Sequence, residues 1–124
     1  MHPNDPSLKN CAIYARSARE DASEIDRQVG ACGLRASELG AEVQFLYVDN
    51  GVPGTGITEN LRDLLAAARI GSFDYVIVED AAWLSQSTAL RLFVQADLST
   101  VGVKIEMVFE PALPGEPNIT NRGF

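Results

Sequence analysis

Residues 73–87, Phe73-Asp74-Tyr75-Val76-Ile77-Val78-Glu79-Asp80-Ala81-Ala82-Trp83-Leu84-Ser85-Gln86-Ser87, decide how the fold is read. The β-branched and aromatic run Tyr75-Val76-Ile77-Val78 lies between Gly71-Ser72 and Glu79-Asp80, which predicts a short strand buried on both faces in the middle of the fold. Such strands belong to parallel sheets. In open parallel sheets the chemistry gathers just beyond the carboxyl ends of the strands, so Glu79 to Ser87 is where site residues are expected. Ala81, Ala82, Trp83 and Leu84 supply neither base, nucleophile nor cation. A well-specified scaffold therefore meets a depleted site.

Working outward, residues 1–10 contain two prolines and two asparagines without periodicity, and read as a flexible lead-in. Cys11-Ala12-Ile13-Tyr14-Ala15 is the first predicted strand. Asp21 or Ser23 then caps a helix whose apolar stripe is Ile25, Val29, Cys32, Ala36 and Leu39, with Gly40 as its stop. Gly30 and Gly33 fall inside this helix at about 1 kcal/mol each relative to alanine, which suggests close packing on the sheet. Val43–Val48 is a second strand. Thr58 is a plausible cap for a helix burying Leu61, Leu64, Leu65 and Ala68. After the 75–78 strand, Ser85 or Ser87 starts a third helix with Leu90, Val94 and Leu98 on one face, and Val103–Phe109 alternates like a half-buried strand. The order β-α-β-α-β-α-β calls for an α/β fold of three layers: a mostly parallel sheet of four to five strands with helices on both faces. Residues 11–110 form the expected domain. Residues 111–124 read as an irregular tail in which no DNA-binding domain is visible.

A chain of 124 residues that is 46% hydrophobic and 22% charged can bury one real core without disulfides or a structural metal. No apolar run approaches the roughly 20 residues of a membrane span, and no signal peptide is visible, so a cytoplasmic location and no membrane partner are expected. His2 is the only histidine, which excludes histidine-based triads and metal sites. Cys11 and Cys32 lack zinc-ligand spacing and read as buried thiols. The net charge of −7 argues against strong free-standing DNA binding, because neutralising phosphates is the main source of such affinity. DNA contact through this domain alone is expected to be weak.

Two loop features invite chemistry. Gly51-Val52-Pro53-Gly54-Thr55-Gly56 joins a strand to a helix, but it has neither glycine order of a phosphate cradle, and Pro53 removes a backbone donor. No cofactor is implied. Asp49, Glu79 and Asp80 stand at strand ends, where they can either hold a divalent cation or remain solvated loop charge; with the glycine loop they define a reading as a small α/β ligand-binding module.

The pieces are more specific together. Ile13-Tyr14-Ala15-Arg16, a helix with Asp26-Arg27-Gln28, Tyr47-Val48-Asp49-Asn50-Gly51-Val52-Pro53-Gly54, and the segment from Leu64 through Gly71-Ser72-Phe73-Asp74 to Val78 resemble the catalytic domain of serine recombinases, the resolvase/invertase family. The resemblance continues through Leu84-Ser85, Gly102-Val103 and Phe109-Glu110-Pro111. It implies a serine after the first strand that attacks a DNA phosphodiester, with arginines stabilising the charge on phosphorus. The requirement is chemical: a hydroxyl is a weak nucleophile and a phosphoryl transition state is densely anionic.

Matched to that pattern, Tyr14, Arg16, Gln28 and Asp49 agree with the family, but the serine position holds Ala18 and Ser17 falls one residue early. Neighbouring side chains on an extended backbone point to opposite faces, so Ser17 needs a local rearrangement to replace it. Pro53 stands for a loop serine, and Thr58 or Glu59 for a helix arginine. After the central strand, Ala82, Trp83 and Gln86 replace the aspartate and both arginines, while Leu84 and Ser85 persist. Arg16, Ser17, Gln28 and Asp49 are thus the remnant site. The leading expectation is a non-catalytic regulatory or interaction module linked to recombination or mobile elements, with a protein partner or a second copy as its associate. Trp83 is either packing for the vacated site or the anchor of a changed surface. The rival expectation is an active recombinase using Ser17 with Arg16 and Arg19.

Overall fold

The apolar run at the start of the domain forms an interior strand, because Cys11 to Ala15 can be buried on both of its faces at once. The computed structural model describes residues 9–52, 56–80 and 88–109. Its elements are β1 (Lys9–Ser17), α1 (Ala22–Leu39), β2 (Ala41–Asn50), α2 (Glu59–Arg69), β3 (Tyr75–Val78), α3 (Thr88–Thr100) and β4 (Lys104–Met107). The four strands pair in parallel in the order β2-β1-β3-β4. The 75–78 run is an interior strand as expected, and it shares the centre of the sheet with β1.

Strand alternation divides the core into two layers. Ala12, Tyr14, Val76 and Val78 face Leu61, Leu64, Leu65 and Ala68 of α2 and Val94 and Leu98 of α3. Cys11, Ile13 and Ile77 face Cys32 and Ala36 of α1. The sheet therefore carries α1 on one face and the other two helices on the opposite face, which is the three-layer arrangement expected. Both thiols are fully buried, and desolvation pushes Cys32 up to about 12.

Local chemistry sets the boundaries. Asp21 is the cap of α1, accepting the Glu24 N–H at 3.0 Å, and Gly40 closes the helix at φ 69, a left-handed conformation suited to glycine. Thr58 caps α2 through the Leu61 N–H, also at 3.0 Å. The serines expected to start α3 lie outside the described residues, as do Ala82, Trp83, Gln86 and the 111–124 tail.

Three details differ from expectation. Lys9 and Asn10 belong to β1 rather than to the lead-in, because Asp74 holds Asn10 from both sides: its carboxylate accepts the Asn10 N–H at 3.1 Å, and its own N–H donates to the Asn10 carbonyl at 2.8 Å. Gly30 and Gly33 do not mark close packing. A methyl group at either position would meet nothing within 4 Å, since both lie off the buried stripe of α1. β2 is longer than expected and carries a bulge at Gln44, between the pairs Cys11 with Val43 and Ala12 with Phe45. The extra residue places Phe45 and Tyr47 against the α2 side while leaving Val43 and Leu46 exposed on this edge strand.

Burial decides which substitutions matter. Leu64 is completely enclosed, so Leu64→Ala is expected to cost about 2–5 kcal/mol in urea unfolding. Leu46 is 52% exposed, and Leu46→Ala is expected to change stability by less than about 0.5 kcal/mol.

Candidate functional site

The carboxyl ends of β1 and β2 place Arg16 beside Asp49 and Ser17 beside Asn50, so adjacent strands bring most of the expected site residues to one edge. Gln28 joins them from α1. Its carboxamide accepts the Arg16 N–H at 3.0 Å and donates to the Arg16 carbonyl at 2.8 Å, as a neighbouring strand would. Gln28 also donates to Glu24 at 3.0 Å. The observed task of Gln28 is thus to hold the end of β1 against α1.

Asp49 is 4% exposed and takes three side-chain donors. Tyr14 Oη and Thr58 Oγ1 each donate to Oδ2 at 2.6 Å, and Asn60 Nδ2 donates to Oδ1 at 2.9 Å and to the Val48 carbonyl at 2.7 Å. These bonds satisfy a buried carboxylate without any metal. Burial first, and then the hydrogen bond to Asp49 and its negative charge, push the Tyr14 phenol well above its ordinary range.

Arg16 Nη2 donates to the Val52 carbonyl at 2.6 Å, while the Ser17 hydroxyl donates to the Arg19 carbonyl. The Ser17 carbonyl in turn accepts N–H groups from Gly51 at 2.8 Å and Val52 at 3.1 Å, tying the glycine loop to the end of β1. Gly51 has φ 80, and an added Cβ would come within 3.2 Å of the Glu20 backbone nitrogen, so glycine is required there on two counts. Asn50 completes the edge by accepting the Asp21 N–H at 2.8 Å. Ala18 is exposed in the bend after β1, and residues 53–55 lie outside the described residues.

Sequence reasoning missed the ion pair beneath this edge. Arg27 of α1 grips Glu79, at the end of β3, through both terminal nitrogens, with Nη2 to Oε1 at 2.7 Å. The same guanidinium binds Glu24, with Nη2 to Oε2 at 2.6 Å. These hydrogen bonds, from Arg27 first and Gln28 second, hold Glu24 below the usual carboxylate range. The spacing of Glu24, Arg27 and Gln28 on one helix was the available signal.

The network also separates Asp49 from Glu79, which the alternative of a cation site would bring together. Asp49 is bound by donors from β1 and the α2 end, whereas Glu79 is bound by α1 on the other side. Among the described residues, no three potential metal ligands converge.

With this geometry in place, the comparisons are decisive for the family. The model described as Resolvase, N terminal domain, matches residues 11–118, and the chain belongs to that family. No curated protein matches its sequence. Among solved structures, the C-terminal catalytic domain of ISC1926 TnpA, an IS607-like serine recombinase, is 25% identical and superposes with a TM-score of 0.73 over 82% of this chain and 71% of that one. The N-terminal catalytic domain of TP901-1 integrase is 24% identical, with a TM-score of 0.74 over 81% and 78%. A resolvase family site-specific recombinase from Streptococcus pneumoniae is 17% identical, with a TM-score of 0.70 over 81% and 72%. The fold is that of serine recombinase catalytic domains.

Tyr14→Phe is expected to cost about 1.5–3 kcal/mol, the worth of a hydrogen bond to a buried charged group, measured by denaturant unfolding at neutral pH. The phenol pKa is raised by folding, so its contribution is fully present below about pH 10, the unfolded value, and is lost as pH rises toward the folded value. Across that window the Tyr14 component of stability falls by about 1.4 kcal/mol per pH unit, and this component is expected to vanish in Tyr14→Phe.

Proposed function

We propose that this member of the resolvase family is a non-catalytic domain that serves as a regulatory or interaction module in DNA recombination or mobile-element biology. The observation that carries the reading is at the end of β1. The position expected to hold the nucleophile is Ala18, and the adjacent hydroxyl of Ser17 donates to the Arg19 carbonyl. The only guanidinium of the remnant set, that of Arg16, rests on the Val52 carbonyl.

The chemistry points the same way. Losing a single charge-stabilising donor commonly lowers a rate about 100- to 1,000-fold, and this chain departs from the expected pattern at Ala18, Ala82, Trp83 and Gln86. The retained polar groups have architectural work instead: Gln28 holds β1, and Asp49 gathers β1, β2 and α2. A net charge of −7 disfavours tight DNA binding by this domain alone. On α3, Leu92 and Phe93 are 60% and 50% exposed, apolar surface suited to association with protein.

The test is incubation of the full chain with supercoiled plasmid and with genomic DNA of its host, followed by denaturing electrophoresis for a covalent adduct. No adduct is expected from the wild type, and none from Ala18→Ser, which restores a hydroxyl without the missing guanidinium groups. An adduct formed by the wild type and abolished in Ser17→Ala would overturn the proposal and establish Ser17 as the nucleophile.

A further inference from the structure

The chain contains only two lysines, Lys9 and Lys104, and both line one depression at the amino edge of the sheet. Strand register explains their meeting. Cys11 pairs with Tyr75 and Tyr75 pairs with Lys104, so these three residues share a sheet face, and Lys9 lies two residues before Cys11 on that same face. Lys9 and Lys104 consequently flank Tyr75. The depression, of about 210 Å³, is completed by Asp74 and Gly102. Liquid water occupies about 30 Å³ per molecule, so a small multi-oxygen anion fits.

Among the described residues Arg27, Arg35 and Arg69 are ion-paired, whereas Lys9 and Lys104, like Arg16, Arg19 and Arg62, enter no ion pair. The carboxylate that lines the depression with them, that of Asp74, also has a structural task. Asp74 accepts the Asn10 N–H at 3.1 Å through its side chain and the Lys104 N–H at 3.0 Å through its carbonyl, stapling together the starts of β1, β3 and β4. Two exposed lysines thus flank Tyr75, neither of them ion-paired.

We infer that Lys9, Lys104 and Tyr75 form a binding site for a phosphate group, at the end of the sheet opposite the Arg16–Asp49 edge. Two ammonium groups and a phenol O–H provide a small set of donors for a tetrahedral oxyanion, and lysine binds phosphate as a point charge. The two lysines and the Asp74 carboxylate leave the depression with a net positive charge of one, which a phosphate monoanion or a phosphodiester neutralises. This inference is independent of whether the domain retains catalysis. The phosphate can belong to a small phosphomonoester or to a nucleic-acid backbone.

The full chain, labelled with ¹⁵N, is titrated with inorganic phosphate, with glycerol phosphate and with a short DNA duplex, and amide resonances are followed at constant ionic strength against a chloride control. Saturable shifts centred on Lys9, Tyr75, Gly102 and Lys104 are expected with phosphate. Lys9→Gln and Lys104→Gln are each expected to weaken binding by about tenfold, the loss of one charge-assisted contact, while the spectrum elsewhere reports an intact fold. Tighter binding of glycerol phosphate identifies a small phosphomonoester as the source, and tighter binding of the duplex at these same amides identifies a nucleic-acid backbone. No saturable shift, or the same shift in the Lys9→Gln/Lys104→Gln double variant, would overturn the site.

Discussion

Asp49 lies almost out of contact with water, where an ionised carboxylate is tolerated only if hydrogen-bond donors replace its hydration. Those donors come from three parts of the chain: Tyr14 in β1, Thr58 at the α2 cap and Asn60 in the first turn of α2. Satisfying one charge therefore fixes the relative placement of two strands and a helix. Thr58 extends the constraint, since the oxygen that donates to Asp49 also accepts the Leu61 N–H and starts α2. The buried face of that helix, Leu61, Leu64, Leu65 and Ala68, is oriented by the same contact that satisfies the carboxylate.

The opposite face uses the same strategy with different groups. Gln28 pairs with both backbone groups of Arg16, and Arg27 draws Glu79 toward α1. The carboxyl edge of the sheet is consequently rich in polar side chains whose partners are other parts of the protein. Such an edge is well braced.

The fold was legible where periodicity and burial coincide. Tyr75 to Val78 is apolar throughout and interior, the α2 stripe is buried as spaced, and Thr58 announced its helix. Other features depend on partners far away in sequence. Asn10 joins β1 because of Asp74, 64 residues later, and Arg27 meets Glu79 across 52 residues. Gly30 and Gly33 misled because glycine in a helix permits close approach without showing that anything approaches. The gathering of Arg16, Ser17, Gln28 and Asp49 at one edge was readable through family resemblance. The donors around Asp49 were not, because a threonine that caps a helix and an asparagine beside it look ordinary until the strand end is placed between them.

The strand order β2-β1-β3-β4 also has a consequence for the chain during synthesis. β1 is made first, yet it is an interior strand whose second neighbour, β3, emerges only after both intervening helices. Until then the Cys11–Ile13 edge has no strand to pair with, and Cys11 and Ile13 lack Ile77 beside them. A stalled or truncated nascent chain would present an apolar strand edge of the kind that recruits other chains. The same central position that secures β1 in the finished molecule makes it the segment most in need of protection beforehand.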